Sequence, residues 1–459
     1  MSEGASEIAG EAIAQLAEWA SSLSLDAIAD DVKRSAALVI ADNLACAARS
    51  RKEPELRALK QRLPHGVEEA TVFLGDGAKT DRASAAMINA IASNWCQLDE
   101  GHRQVMCHAG LYVVPTAMAE AEAAGRTMGD ALRATVAGYE VVCRFAKAFG
   151  FSRPTVHPHA LWSPLGAAAA IAALRGFDPG RWTDSLATAA TMAGGGPFGH
   201  AVQGALVANG WAGIGVANGF RAVDLAECRI TGTPISASEV LCGVFGATLK
   251  SGLLVEGLGE EWALRGNYHK IHSCAQQSHA AVEAMLALTR RWPVGKGPAD
   301  VRRIVVEGHP LTLMMDNRNP PTALAARFSI PHIVAAVATL GRADAAAFAT
   351  ETLADAEIVR LRRVVELKLL EPPLPAPHDR AARISLVFDD GATTSEECLS
   401  AEGGPDRPFS ASRILEKCTT LTEGVYPHFG TQVSRLLAFE RDLCCEPVAK
   451  FVRSLIEPS

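Results

Sequence analysis

The chain's pattern predicts a mainly α protein, with a large all-helical domain formed by both chain ends and a smaller α+β domain between them. Three observations carry this. Apolar residues recur at helical spacing through residues 5–260, short β-branched and alternating runs begin only after about residue 264, and helical spacing returns from Ser412 to Ile456. The expected bounds are 1–264 for the first part of the helical domain, 265–398 for the α+β domain, and 399–459 for helices that rejoin the first. A chain of 459 residues is long for one core, and 48% hydrophobic against 21% charged residues gives two domains enough to bury. The same balance argues against disorder.

Taken in order, Ile8, Ile13, Leu16 and Trp19 share a helical face, as do Val32, Ala36, Val39, Ile40 and Leu44 within 27–48. A further helix is expected over Ser84–Trp95. Thr127-Met128-Gly129-Asp130 has the spacing of a capping box and opens a helix that should reach Phe149. An almost wholly apolar helix follows over Ala160–Leu174, and Gly176-Phe177-Asp178-Pro179 ends it and starts another. Alanine is abundant and no heptad persists, which suits a multi-helix bundle better than a coiled coil. In the α+β part, strands are expected at 301–307 and 365–369. A hairpin spans 383–388 and 392–395, turning at Asp389-Asp390-Gly391. Helical patterns at 276–291, 328–340 and 353–361 lie between these strands, and Glu371-Pro372-Pro373-Leu374-Pro375 is a loop.

Composition narrows the function. A net charge of −7 without a basic stripe argues against nucleic acid as a partner, while a small anionic substrate remains compatible with a locally positive cleft. The 11 cysteines include no CxxC pair; they read as reduced, mostly buried small hydrophobes of a cytoplasmic protein, Cys46, Cys143 and Cys242 among them. Met1–Leu23 is acidic and amphipathic, not a signal peptide, and no apolar run is long enough to span a membrane.

Titratable groups gather in three places. Tyr268-His269-Lys270-Ile271-His272-Ser273-Cys274-Ala275-Gln276-Gln277-Ser278-His279 holds three of only 13 histidines. Asp99-Glu100-Gly101-His102 precedes His108, and His157-Pro158-His159 stands before the apolar helix. Each has a plain structural reading, as helix caps or solvated charge, but three such groups in an apolar chain point to one composite site. A carboxylate beside His108 can orient its imidazole, and a helix N-terminus at His157 favours a bound carboxylate. A zinc site at His269, His272, Cys274 and His279 is not expected. The paired spacing of a structural site is missing, and Lys270 would repel the ion. Gly194-Gly195-Gly196-Pro197-Phe198-Gly199 fits G-x-G-x-x-G literally but follows a helix, so no dinucleotide is expected. Ser163 sits in no nucleophile elbow.

Several segments together resemble the MmgE/PrpD family, which holds dehydratases, decarboxylases and epimerases of small carboxylic acids. They are Leu98-Asp99-Glu100 with His108-Ala109-Gly110 and Val113-Val114-Pro115; His157 with Ser163-Pro164-Leu165-Gly166-Ala167-Ala168-Ala169; Lys270 with His279-Ala280-Ala281; and Asn317-Arg318-Asn319-Pro320-Pro321 with Ala326-Arg327-Phe328-Ser329-Ile330-Pro331. The resemblance covers nearly the whole chain. It implies a homodimer without cofactor or metal, whose active site lies between the two domains. By matching position it implies Asp99, His108, His157, Lys270 and His279 as catalytic residues and Arg318 as a substrate contact. His102 and His159 join the substrate-binding set, with Gln97, Met315 and Ala275, which stand where the family more often has an acid, a tyrosine, and a Cys or His. A lysine and a histidine of the family pattern are here Ala205 and Ala208. A tricarboxylate is therefore less expected than a smaller or less charged acid.

The expected chemistry is that of a cofactor-independent lyase, dehydratase-like, that acts on a small di- or tricarboxylic acid by removing a proton α to a carboxylate. Epimerisation and decarboxylation share the enolate step, and a non-catalytic metabolite binder is the remaining alternative. A C–H of this kind needs a base near neutral pKa and cations that stabilise the enolate. His157 is the expected base, Lys270 and Arg318 the clamps, and His108, oriented by Asp99, the acid, with His279 sharing that role. All of this requires Lys270, His108 and His157 to meet in one cleft.

Overall fold

The computed structural model describes residues 3–457. The large lobe opens with α1 (Glu3–Ser22) and α2 (Asp30–Arg49). α1 buries Ala9, Ala12, Ile13, Leu16 and Ala17, but Ile8 is exposed. At 3.6 residues per turn Ile8 lies about 80° round the axis from Leu16, off the docked face. Then come α3 (Pro54–Lys60), α4 (Arg82–Trp95), α5 (Ala109–Ala123), α6 (Met128–Ala148), α7 (Pro158–Arg175), α8 (Pro179–Ala190), the single turn α9 (His200–Gln203), α10 (Val207–Glu227) and the short α11 (Ser236–Ser238). The capping box forms: the Thr127 hydroxyl accepts from Asp130 N at 3.1 Å, and the Asp130 carboxylate accepts from Thr127 N at 3.1 Å. α6 stops at Ala148 because Phe149 and Gly150 pair with Leu249 and Thr248. α7 is capped by His157 and ends at Gly176 in the left-handed region, after which Asp178 caps α8. Regular α-helix gives way after Glu227, and 229–264 is largely turns with a π-helical segment over Glu239–Val244 and short 3-10 segments.

Three two-residue ribbons staple the large lobe: β1 (Ala70–Thr71) with β2 (Lys79–Thr80), β3 (Gly101–His102) with β6 (Asn267–Tyr268), and β4 (Phe149–Gly150) with β5 (Thr248–Leu249). The small lobe holds α12 (His279–Thr289), β7 (Val301–Gly308), α13 (Pro310–Met314), α14 (Ala323–Arg327), α15 (Ile330–Leu340), α16 (Ala356–Arg363), β8 (Val365–Leu369), β9 (Ala382–Phe388) and β10 (Thr393–Cys398). Its sheet runs β10-β9-β7-β8; β9 is antiparallel to both neighbours, with Ile304 opposite Leu386, and β8 is parallel to β7. A parallel pair needs a long crossover, which α13 to α16 supply. β9 alternates, burying Ala382, Ile384, Leu386 and Phe388 under α12 and its neighbours.

α17 (Ala411–Thr422), α18 (Phe429–Leu437), α19 (Arg441–Cys444) and α20 (Val448–Ile456) return to the large lobe. α17 and α18 pack on α2, which α4, α5 and α6 cover elsewhere, so α2 is buried almost all round from Ala36 to Ala48. Full burial of Val39, Ile40 or Leu44 is each worth about 1.5–3 kcal/mol. One apolar core draws on residues 12–264 and 409–455, joined by Ala345; the other draws on 274–398. The cysteines are free thiols; Cys46 and Cys143 are buried, while Cys242 is half-buried and Cys228 and Cys445 are exposed. No helix of the described residues is long and apolar enough to cross a membrane.

Candidate active site

The β3–β6 ribbon builds the site. It sets Gly101 opposite Tyr268 and His102 opposite Asn267, so the chain just before β3 lies beside the chain just after β6. A Cβ at Gly101 would overlap the Tyr268 hydroxyl, so only glycine permits this approach. α4 ends at Trp95, and Gln97 turns the chain with φ of 53°, in the left-handed region. Asp99 and Lys270 thereby meet, with Lys270 Nζ 3.4 Å from Asp99 Oδ1, and His108 Nδ1 donates to Asp99 Oδ2 at 2.6 Å. Asp99 and Lys270 are almost wholly buried. Burial alone would raise the Asp99 carboxyl, but Lys270 and then His108 outweigh it and hold it below its ordinary value. Asp99 is ionised, and it serves both neighbours.

Two more imidazoles complete the wall. His157 caps α7, its Nδ1 accepting from His159 N at 3.3 Å. Tyr112 Oη, which accepts from His108 N at 3.4 Å, lies 3.0 Å from His159 Nδ1. Ring centroids stand 4.9 Å apart for His108 and His159, and 4.4 Å for His157 and His159. Burial, then the nearby His108, pushes His157 down to about 3, and burial holds His159 well below its usual value. Both rings are therefore neutral at pH 7.

The partners fix the tautomers. A carboxylate only accepts, so His108 holds a proton on Nδ1, and in its neutral form the lone pair is on Nε2. The Nδ1 of His157 accepts a backbone N–H, so neutral His157 carries its proton on Nε2 and is a donor. That arrangement does not suit the expected assignment of His157 as base. It suits His108.

A narrow cavity of about 50 Å³ runs between the lobes, lined by His108, His157, His159 and Lys270 together with His102, Gln97 and Ala275. His102 is held neutral, down to about 4, by burial and then by Lys147. Its Nδ1 accepts from Gln104 N at 3.2 Å. The remaining expected residues lie elsewhere. Arg318 is partly exposed and does not line the cavity: its guanidinium pairs with Asp316 at 3.1 Å and donates to the Arg363 carbonyl at 3.4 Å. Met315 is buried in the small-lobe core. His279 is buried at the start of α12, its Nε2 3.4 Å from the Cys274 carbonyl and its ring against His272, so it supports the Lys270 segment without lining the cavity.

Arg380, Tyr268, Phe198, Phe328 and Gln276 also line the cavity, and the sequence assigned a site role to none of them, although Tyr268 and Gln276 stand in the 268–279 cluster. Arg380 donates to the Gln276 side chain and, at 3.2 Å, to the Arg103 carbonyl. Burial and then Arg103 lower it to about 10. It sits in an irregular loop before β9, where no periodicity marks it. Phe198 belongs to the Gly194–Gly199 loop, whose Gly196 carbonyl accepts from His157 N at 2.8 Å.

Behind the site lies a second charged group. His269, next to Lys270, reaches Asp42 of α2 at 2.9 Å; Lys417 of α17 pairs with Asp42 and donates to the Leu98 carbonyl at 2.7 Å, one residue before Asp99. Burial opposes ionisation of Asp42, yet Lys417 and His269 hold its carboxyl low. Among the described residues no three or more His, Cys, Asp or Glu side chains converge to hold a metal ion.

Fold and cleft define a two-lobed, mainly helical protein whose acid–base groups converge between the lobes. Residues 14–252 match the MmgE/PrpD N-terminal domain, and residues 272–439 match the MmgE/PrpD C-terminal domain. The chain belongs to the MmgE/PrpD family. Among curated relatives, a cis-aconitate decarboxylase of Aspergillus terreus (strain NIH 2624 / FGSC A1156) is 26% identical over 452 residues, covering 90% of this chain and 89% of that protein. The cis-aconitate decarboxylase-like protein oryM of Aspergillus oryzae is 25% identical over 450 residues, covering 91% of each.

Proposed function

We propose that the chain is a lyase acting on a small carboxylic acid, using the Asp99–His108 dyad as its proton-transfer group. The observation that carries this reading is the shared carboxylate: buried Asp99 bonds both His108 and Lys270, which line a cavity together with the neutral imidazoles of His102, His157 and His159. Similarity to cis-aconitate decarboxylases supports the lyase class and gives weight to loss of carbon dioxide alongside loss of water.

His108 Nε2, its lone pair aimed away from Asp99, takes the proton α to a substrate carboxylate or returns one to the carbanion left when carbon dioxide departs. Asp99 stabilises the imidazolium that forms, as an orienting carboxylate does in other acid–base pairs. Lys270 and Arg380 hold the carboxylate on which negative charge develops. His157 Nε2–H donates to the same oxygen or to a departing hydroxyl, and a neutral donor suits this because it costs no charge burial. We also place a homodimer in this proposal, on the family resemblance alone.

The test is incubation of the purified protein with unsaturated and hydroxylated di- and tricarboxylic acids in deuterated water, followed by NMR and carbon dioxide capture. An alkene or decarboxylated product is expected from at least one acid. Deuterium washed into recovered substrate without other change would instead mark an epimerase, and an unaltered panel with folded protein would sink the proposal.

A further inference from the structure

The cleft's charge is countable, and the count restricts the substrate. Among the described residues lining the cavity, the side chains that carry a formal positive charge irrespective of proton transfer are Lys270 and Arg380. Lys270 is matched by Asp99. Arg380 is not matched: its guanidinium contacts are the Gln276 side-chain oxygen and the Arg103 carbonyl, both neutral, while the adjacent Asp379 pairs with Arg103 at 2.6 Å. His102, His157 and His159 are neutral imidazoles. The cavity wall thus holds two fixed cations, Lys270 and Arg380, and Arg380 has no carboxylate of its own.

Another part of the wall offers nothing to an anion. Phe198 and Phe328 line the cavity, and Phe328 packs, beside Leu206 and Trp211, on the apolar cluster of Ala201, Ala208 and Leu324. Ala205 and Ala208 occupy the stretch where a lysine and a histidine would have projected by the resemblance, and Ala208 is buried in this apolar group. His200 stacks on Trp211 and does not line the cavity.

Resting on the lyase reading, we infer that the substrate is a short dicarboxylic acid whose remaining substituent is uncharged, its carboxylates held by Lys270 and Arg380 and its uncharged part lying against Phe198 and Phe328. A third carboxylate would enter a desolvated cleft with no cation left to meet it, a costly arrangement. Arg380 is then a substrate-binding and specificity-determining residue, and it reaches the cleft from the small lobe.

Calorimetric titration of the intact protein at pH 7 with two probes tests this. Citraconate and cis-aconitate share a cis-butenedioate skeleton and differ in that a methyl replaces a carboxymethyl group. Citraconate is expected to bind at least about 10-fold more tightly, and Arg380→Gln should weaken it by about 10-fold or more, as loss of a desolvated charged contact does. Arg380→Lys, which keeps the charge, should retain most of the affinity and decides the matter if the glutamine variant does not fold. Equal or tighter binding of cis-aconitate, no effect at Arg380, or no binding of citraconate overturns the inference. The two readings fail separately. Citraconate bound with the expected preference while no acid is turned over keeps the charge inference and removes the lyase, whereas efficient decarboxylation of a tightly bound cis-aconitate does the reverse.

Discussion

Asp99 is the side chain on which both charged contacts of the cleft converge, so its replacement is the most informative single change. Asp99→Asn keeps the shape but frees Lys270 and can orient His108 in the wrong tautomer; turnover should fall by about 100-fold or more. Measured kcat with an unchanged circular dichroism spectrum checks it, and a loss below about fivefold would contradict the dyad. His108→Ala should cost a similar factor and respond to added imidazole, which His157→Ala, losing only a donor, should not. Titration also shapes stability. His102, His157 and His272 are held neutral, to about 4, 3 and 4, so in the range below their ordinary 6.5 the unfolded chain takes up protons that the folded one refuses. Their contribution is present above about pH 6.5 and is lost as pH falls towards 4. Glu100 works from the other side: burial raises it to about 8, and it accepts from Tyr139 Oη at 2.8 Å and Gly110 N at 2.7 Å. Its contribution is present below its ordinary 4.5 and is lost as pH rises to about 8. Glu100→Gln should therefore flatten the fall in melting temperature between pH 6.5 and 8.5, read by thermal melts at both.

At the scale of elements, what the sequence announces and what it hides divide by length. Long helices were legible: the α6 capping box, the α7 to α8 break and the alternation of β9 lie where their residues require. The β3–β6 ribbon was not, because two-residue strands have no period, yet this ribbon brings Asp99 to Lys270. Its dependence on Gly101 gives a prediction. Gly101→Ala forces a Cβ into the Tyr268 ring and should cost about 1–3 kcal/mol, the range of overpacking, together with a marked loss of turnover. Urea midpoints and kcat measured on the same sample check both, and an alanine variant as stable and active as the parent would mean the ribbon does not set the geometry. Gly110 behaves alike at the start of α5, where a Cβ would meet Glu100 and Val39.

For the whole molecule, the C-terminal helices close the large core and also reach the site. Lys417 of α17 ties Asp42 of α2 to the backbone preceding Asp99, and Asp42 in turn holds His269 beside Lys270. Removing one partner leaves a buried carboxylate short of its cation, so Lys417→Met should destabilise by about 3–5 kcal/mol in denaturant unfolding. An effect under about 1 kcal/mol would show the network to be slack. The lobes meet again where Arg103 pairs with Asp379 at 2.6 Å, next to Arg380. By itself the sequence determined the fold class, the family resemblance, and the three clusters from which Asp99, His108, His157 and Lys270 come, because periodicity and local motifs are properties of neighbours along the chain. Which residues share the cleft was decided only by tertiary structure. Arg318, inside a recognisable motif, bonds Asp316 and the Arg363 carbonyl away from the cavity, while Arg380, in a featureless loop, lines it. The tautomers of His108 and His157 likewise follow from partners that only folding supplies, since a hydrogen bond depends on distance and direction in space and not on separation in sequence.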